Sequence, residues 1–213
     1  MSNLNRYLPT VIIVTLIIVA GYFLLTKGPK VQLPSVPTTS VQEINSGNLP
    51  PLGNPQAPIK IIEFGDFLCP FCGRAVLELY PQLEPLIQQG KVVLYFRDFV
   101  VHPQATIIHN ASRCANEQNK YWEFNKEAFK KFMTGEEIAK KEILIKLAQE
   151  LNLDLTSFER CLNDNKYVQD VQNDTQYGIS IGVQGTPTFF INGQKIEGVN
   201  IPQIQSTLNK LLK

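Results

Sequence analysis

An apolar run leads directly into two cysteines in the stretch Ile59-Lys60-Ile61-Ile62-Glu63-Phe64-Gly65-Asp66-Phe67-Leu68-Cys69-Pro70-Phe71-Cys72. The first part predicts a buried strand, and the C-x-x-C after it predicts the first turn of a helix. The unpaired N–H groups and partial positive charge of a helix N-terminus favour a thiolate at Cys69. Pro70 suits the first helical turn because it has no N–H group to leave unpaired. The stretch therefore predicts a redox-active dithiol.

Cys69 and Cys72 have three other interpretations. They could form half of a zinc site, but the sequence has no second C-x-x-C, and His102 and His109 stand apart from any further ligand motif. They could be two small buried apolar residues, although the position between a strand and a helix argues against that. They could also form a permanent disulfide. The sequence therefore predicts no metal site and no cofactor, and it favours reversible thiol chemistry.

Composition sets wide limits on the function. The 213 residues include 44% apolar and 18% charged residues, which is ordinary for one globular domain with appendages. The formal net charge is +1, and basic residues are not concentrated on any segment. Nucleic acid is therefore not expected as a partner.

The N-terminal region predicts a membrane anchor. After a short tail at residues 1–7, the segment 8–26 is almost wholly apolar and is flanked by Arg6 and Lys27. Its length is close to what a helix needs to cross the roughly 30 Å hydrocarbon core of a bilayer. A cleaved signal peptide and a buried core helix are the competing interpretations. We expect a single-pass protein of the cell membrane in contact with the lipid bilayer, with its catalytic domain on the extracytoplasmic side, where disulfide chemistry is expected.

A Pro-rich tether is predicted at residues 27–56, because the segment has many prolines and polar residues and no aromatic side chain. The folded domain is predicted to span residues 57–213. Strands are expected at 59–64, 91–96, 188–191 and 195–198, and helices at 70–89 and 201–212. An all-helical insert is expected at about 101–182. The order is βαβ, insert, ββα, which predicts an α/β fold.

Several motifs resemble those of the thioredoxin superfamily, and within it the DsbA-like thiol:disulfide oxidoreductases with a helical insertion. The resemblance covers roughly residues 51–212. Its most specific parts are the strand and dithiol segment 63–72 and the segment Gly182-Val183-Gln184-Gly185-Thr186-Pro187-Thr188. Arg113-Cys114-Ala115 and Tyr121-Trp122-Glu123-Phe124 in the insert also resemble the family. A thioredoxin-like fold is therefore the expectation.

The resemblance assigns roles to residues around the dithiol. It implies that Pro187 is a cis-proline lying against Cys69 and Cys72, and that the backbone at Thr186 pairs with an extended substrate segment. It also implies that Glu63 transfers protons near the dithiol. The residue pattern agrees in part, because a carboxylate in an apolar strand is desolvated and its pKa is raised. A water-facing position at the strand edge is the alternative for Glu63.

The two residues between the cysteines are expected to set the reduction potential. Strongly oxidising members of the family have a histidine where this chain has Phe71, and a phenyl ring cannot stabilise a thiolate by hydrogen bonding. We therefore expect Pro70 and Phe71 to make a weaker oxidant than those members. Asp66 is expected to cap a turn or a helix entry rather than to take part in the chemistry.

Cys114 and Cys161 are expected to form a structural disulfide in the insert. Each shares a helical face with apolar residues, so both thiols are predicted to point inward. Outside the cytosol such a pair is expected to oxidise and to stabilise the insert. A second redox pair is the alternative, but neither cysteine lies at a helix start that would activate it.

The sequence thus predicts a protein disulfide oxidase that acts on the thiols of unfolded or exported proteins. By family analogy, a quinone-linked membrane protein would be its redox partner. A membrane-tethered disulfide reductase or isomerase is the alternative within the same enzyme class. A chaperone-like binding module with an incidental dithiol is the alternative from a different class.

Overall fold

The computed structural model describes residues 44–213. The predicted tail, the predicted membrane anchor at 8–26 and most of the predicted tether lie outside these residues. Within the part of the chain that is described, no helix has the length and apolar character needed to span a bilayer.

Four strands form one sheet in the order β2-β1-β3-β4. The central strand β1 is parallel to β2 and antiparallel to β3, which in turn pairs with β4 in antiparallel register. The bounds are β1 Ile59–Gly65, β2 Val92–Asp98, β3 Thr188–Ile191 and β4 Gln194–Glu197. Every residue of β2 is buried, as is every residue of β1 except Lys60, and both strands are accordingly mostly apolar rather than alternating, with Glu63, Arg97 and Asp98 as buried polar exceptions.

The helices follow the predicted order with one local departure. The predicted helix after the dithiol consists of α1 Pro70–Arg74, a π-helical turn Ala75–Leu79 and α2 Tyr80–Gln88. The insert holds a 3₁₀ turn Pro103–Ala105 and five helices, and the chain continues to a final helix. These are α3 Thr106–Asn116, α4 Tyr121–Met133, α5 Lys141–Glu150, α6 Leu155–Asn163, α7 Val168–Ser180 and α8 Ile201–Leu211.

Both faces of the sheet are covered. On one face, apolar residues of the π-helical turn, α2 and α8 pack against β1, β2 and β3, with Leu79, Leu83 and Leu208 among them. On the other face, Phe64 and Phe190 pack with residues of α7. This arrangement confirms the predicted α/β fold and places the start of α1 at the carboxyl end of the central strand.

The insert has its own apolar core, which continues to the dithiol. Its fully buried aromatic residues include Tyr121, Phe124, Phe129 and Phe158. A disulfide between Cys114 and Cys161 joins α3 to α6, with the sulfur atoms 2.06 Å apart. The predicted bond between these two cysteines is therefore present.

The folded domain begins ahead of the predicted boundary at residue 57. Ile44 and Leu49 are buried, and the N–H group of Leu52 donates to the carbonyl oxygen of Leu94 on β2 at 2.8 Å. The indole Nε1 of Trp122 donates to the carbonyl oxygen of Pro50 at 3.0 Å. A segment that looks like a tether by composition covers the outer edge of β2, because its few apolar residues have a place in the core.

Beneath this segment lies a buried network of charged side chains that links β2 to the insert. Asp98, at the end of β2, accepts from the Nε of Arg113 at 2.6 Å and lies 2.6 Å from Nδ1 of His109. Asp174 on α7 accepts from both Arg113 and Arg97, at 2.8 and 2.5 Å. Because buried charges are costly unless paired, this network fixes how the insert docks on the sheet.

Candidate active site

Cys69 is the N-cap residue of α1, and Pro70 is the first residue of that helix. The Sγ atom of Cys69 lies 3.3 Å from the carbonyl oxygen of Thr186. Neither Cys69 nor Cys72 is in a disulfide, and both are buried. The structure therefore brings the two predicted motifs together at the carboxyl end of β1.

The environment of Cys69 favours its thiolate. Hydrogen bonding by the Cys72 side chain lowers the pKa of Cys69 from its ordinary value of 9.0 to about 6. Thr186 and the backbone N–H groups of Phe71 and Cys72 act in the same direction, and burial opposes them. Donors at a helix N-terminus thus produce the activated thiol that the sequence predicted.

Cys72 has the opposite character. Burial raises its pKa well above 9.0, and the contacts with Cys69 and the charge of Glu63 raise it further. One thiol of the pair is therefore ionised near neutral pH while the other keeps its proton. Such a pair is suited to thiol–disulfide exchange, because the stabilised thiolate of Cys69 makes that sulfur a good leaving group from a mixed disulfide.

Glu63 occupies the interior of β1 beneath the dithiol, and none of its surface is exposed to solvent. Burial raises its pKa from 4.5 to about 8, although a hydrogen bond from Tyr80 lowers it and the charge of Cys69 adds to the rise. The predicted desolvated carboxylate is therefore present, and the water-facing alternative does not hold. Its pKa makes it able to give or take a proton near neutral pH.

Tyr80 is part of this site and was not predicted from the sequence. Its hydroxyl donates to Oε2 of Glu63 at 2.8 Å. Tyr80 is the first residue of α2, directly after the π-helical turn. A π-helical turn often marks a functional position, but neither the turn nor the inward direction of this hydroxyl can be seen in the spacing of apolar residues.

The peptide bond between Thr186 and Pro187 is cis, as the resemblance implied. The loop before it is closed by a hydrogen bond from Oγ1 of Thr188 to the carbonyl oxygen of Gly185, at 2.7 Å. Strand β3 starts at Thr188 and pairs with β1. The short connection from β3 to the cis-proline holds Thr186 against Cys69.

Asp66 stabilises the loop that leads into the dithiol helix. Its buried carboxylate accepts from the backbone N–H groups of Leu68, Val101 and His102, at 2.7, 2.7 and 2.8 Å. Its carbonyl oxygen accepts from the N–H group of Cys69 at 3.0 Å. The prediction that Asp66 caps a turn is confirmed.

The surface beside the dithiol is apolar. Phe71 is 55% exposed, an unusual position for a phenyl ring. Met133, at the end of α4, covers Gly73 so closely that an added Cβ at that residue would lie 2.5 Å from its sulfur. The insert thus contributes to the rim of the site through Met133.

No site for a metal ion is found among residues 44–213: no three His, Cys, Asp or Glu side chains there are placed to share one. The chemistry of the site is carried by two thiols of unlike pKa, a buried carboxyl and the backbone at Thr186. Together these groups can form a mixed disulfide at Cys69 and exchange protons with Cys72.

Comparison with known proteins gives matches over the whole described domain. Residues 45–211 match the protein family described as "Thioredoxin". The "Probable disulfide bond formation protein D" of Bacillus anthracis is 29% identical over 169 residues, or 76% of this chain and 77% of that protein. The crystal structure of Wolbachia pipientis alpha-DsbA1 superposes with a TM-score of 0.68 at 28% identity, over 76% of this chain and 92% of that one.

A further match is to part of a longer protein. The protein named "Na(+)/H(+) antiporter NhaA 3" of Salinispora tropica is 30% identical over 150 residues, which is 68% of this chain but 22% of the antiporter. This chain therefore spans about a fifth of that relative's length.

Proposed function

The chain belongs to the thioredoxin family, and on that premise we propose that it is an extracytoplasmic thiol:disulfide oxidoreductase that introduces disulfides into exported proteins. The observation that carries the proposal is a C-x-x-C at the start of α1 with Sγ of Cys69 3.3 Å from the carbonyl oxygen of Thr186, beside the cis-proline. The pKa shifts of the two thiols, lowered for Cys69 and raised for Cys72, agree with it. The likeness to alpha-DsbA1 and to a relative named for disulfide bond formation supports it.

The reaction begins with the Cys69–Cys72 disulfide. A substrate thiolate attacks Sγ of Cys69, a new S–S bond forms, and the Cys69–Cys72 bond breaks with its electron pair on Cys72. Because the thiolate of Cys72 is strongly disfavoured, Cys72 takes a proton, and the neighbouring carboxyl of Glu63 is the group placed to give it. A second substrate thiolate then displaces Cys69, which leaves readily because its own thiolate is stabilised.

Each turnover removes two electrons and two protons from the substrate dithiol and leaves Cys69 and Cys72 reduced. A quinone-linked membrane protein is the class of oxidant that we propose to restore the disulfide. The apolar segment 8–26 would tether the domain to the bilayer in which such a protein resides. The exposed ring of Phe71 and the apolar rim around it would contact unfolded substrate chains.

A disulfide reductase or isomerase is the second candidate. The observation that favours it is Phe71, which has no group able to hydrogen-bond to the Cys69 thiolate. Loss of that support reduces the oxidising strength of the disulfide. The helix N-terminus also stabilises the Cys69 thiolate. The direction of electron flow therefore depends on how far this stabilisation replaces the hydrogen bond that Phe71 cannot make.

The reduction potential of the Cys69–Cys72 pair, equilibrated against glutathione, separates the two candidates. A value near about −120 mV would support the oxidase, and a value near about −270 mV would support the reductase. The Cys69→Ala/Cys72→Ala variant separates both from a binding module. It should lose all ability to oxidise a reduced, unfolded secreted protein, whereas a binding module would keep its effect on aggregation and show no dependence on the cysteines.

A further inference from the structure

We propose that Tyr80 is a positioning residue for proton exchange at Cys72: its hydroxyl holds one oxygen of Glu63 and leaves the other free to exchange a proton with the buried thiol. The inference rests on the proposed function and extends it to a residue that touches neither sulfur.

The two oxygens of the Glu63 carboxyl have different surroundings. Oε2 accepts from the Tyr80 hydroxyl at 2.8 Å, whereas Oε1 is buried without a hydrogen-bond partner in the described structure. An unpaired buried oxygen is rare and costly, so it calls for an explanation. Its place in the reaction provides one, since an oxygen that exchanges a proton with a thiol must not be held by another donor.

Tyr80 itself packs against a side chain of the insert. Its ring lies edge-to-face against the indole of Trp122, with centroids 6.3 Å apart. Trp122 in turn donates to the carbonyl oxygen of Pro50. The ring of Tyr80 is therefore packed against the insert, through a tryptophan that is itself bonded to the N-terminal segment of the domain.

Few other groups can influence the carboxyl. The cross-strand neighbours of Glu63 are Phe96 on β2 and Phe189 on β3, which are apolar. The titratable groups that act on it are Cys69 and Cys72 from α1 and Tyr80 from α2. Tyr80 is thus the one neutral hydrogen-bond donor to this carboxylate among residues 44–213.

The step that Tyr80 assists can be isolated as the attack of Cys72 on a mixed disulfide at Cys69. The Cys72 thiol gives its proton to Glu63, the Cys72–Cys69 bond forms, and the bond from Cys69 to the other thiol breaks with its electron pair on that thiol. The rate depends on the ionised fraction of Glu63. A hydrogen bond from Tyr80 stabilises the ionised form, so its loss should raise the pKa of Glu63 above about 8.

The test uses the full chain carrying a mixed disulfide between Cys69 and glutathione, assembled at acidic pH and then jumped to higher pH. Release of glutathione is followed across the pH range. In the unmodified protein we expect an inflection near pH 8, the pKa of Glu63. In Tyr80→Phe the inflection should move up by about one to two pH units, the size expected for a lost hydrogen bond to a charged group. The rate at pH 7 should then fall at least about tenfold.

Tyr121→Phe is the matched control. Tyr121 is a buried tyrosine on α4, and its hydroxyl makes no hydrogen bond to Glu63. Its pH profile should match that of the unmodified protein. Glu63→Gln should remove the inflection altogether.

Three results would overturn the inference: a Tyr80→Phe profile that superimposes on the unmodified one, a lower rate with an unmoved inflection, or equal shifts in Tyr80→Phe and Tyr121→Phe. Each of these leaves the proposed function standing, because glutathione is still released by Cys72. If the unmodified protein forms no mixed disulfide at all, the proposed function fails and the inference fails with it.

Discussion

The Sγ atom of Cys69 lies 3.3 Å from the carbonyl oxygen of Thr186, although 117 residues separate the two along the chain. The contact joins the first turn of α1 to the loop before β3. Any chain that pairs with the backbone at Thr186 would pass directly over the sulfur of Cys69. The proposed exchange reaction needs this proximity, because a substrate thiolate must reach Cys69 while the rest of the substrate is held extended.

The two thiols should differ sharply in reactivity. Iodoacetamide alkylation of the reduced protein should modify Cys69 with an apparent pKa of about 6, because donors at the start of α1 stabilise its thiolate. Cys72 should stay unmodified throughout the neutral range, since burial raises its pKa well above 9.0. Peptide mapping by mass spectrometry distinguishes the two. Equal labelling of both cysteines at pH 7 would contradict the asymmetry.

Phe71→His should make the disulfide more oxidising. An imidazole at this exposed position can donate to the Cys69 thiolate or stabilise it by charge, so the pKa of Cys69 should fall below about 6. Each unit of that fall should raise the reduction potential by about 30 mV in a glutathione equilibrium. Phe71→Leu is the control and should leave the potential close to its original value. A potential unchanged by the histidine would show that position 71 does not set it.

Loss of the Cys114–Cys161 disulfide should reduce stability and leave the reaction at Cys69 intact. The two cysteines are 47 residues apart, and the entropy of the loop they close predicts a loss of about 4 kcal/mol in the free energy of unfolding. Urea unfolding of Cys114→Ala/Cys161→Ala measures it. Either single variant should be destabilised to a similar extent, because one substitution already breaks the bond. A loss of thiol–disulfide exchange activity in the still-folded double variant would indicate a redox role instead.

Arg113→Met should be strongly destabilising, because it leaves Asp98 and Asp174 in the core without their shared partner. The expected loss is about 3–5 kcal/mol in the free energy of unfolding. Arg74→Met is the matched control. It breaks an exposed ion pair with Glu78 on the dithiol helix and should change stability far less. Comparable losses in the two variants would contradict the importance of the buried network.

Protonation of Asp98 should weaken this network and lower the stability of the domain at acidic pH. Burial alone would raise its pKa, but the charges of Arg113 and His109 outweigh it and lower the pKa from 3.8 to about 2. A carboxyl with a lowered pKa stabilises the folded protein above its ordinary pKa, and that stabilisation is lost as the pH falls through about 2. It amounts to about 2 kcal/mol. Unfolding curves of the unmodified protein between pH 5 and pH 2 should show this loss of stability. The Asp98→Asn variant should not show it over the same pH range.

The sequence predicts the parts of this site that depend on local pattern. The strand before Cys69, the position of the dithiol at a helix start and the insert cysteines all follow from apolar spacing and residue type. The cis-proline follows from resemblance rather than from pattern. Glu63 could be identified as buried because the residues around it in the strand are apolar.

The remaining features depend on contacts between helices and strands that are far apart in the chain. The sequence does not show which of these elements will meet. The hydrogen bond from Tyr80 to Glu63 requires α2 to lie across β1 at one particular rotation, which the π-helical turn sets. Asp98 and Asp174 meet through Arg113 because α3 and α7 pack beside the end of β2. Neither relationship leaves a signal in spacing or composition.

Glu63 should lower the stability of the domain at neutral pH, and Glu63→Gln should restore it. Burial raises the pKa of Glu63 from 4.5 to about 8. Below pH 4.5 the carboxyl is protonated in both the folded and the unfolded chain and has no effect on the equilibrium. As the pH rises from 4.5 to 8, the unfolded chain ionises first, so the folded state is progressively destabilised relative to it.

At pH 7 this loss is about 3 kcal/mol, an upper limit for the gain in Glu63→Gln because a buried amide also needs partners. Urea unfolding at pH 4 and pH 7 should show the gain at pH 7 and little or none at pH 4. Glu78→Gln, at an exposed position on the π-helical turn, is the control, and it should change stability far less. An equal gain in stability at both pH values would mean that Glu63→Gln acts through packing and not through the loss of an ionisable group. The expected result would instead show that the domain keeps a destabilising buried carboxyl next to Cys72, where the proposed reaction needs a group that exchanges protons near neutral pH.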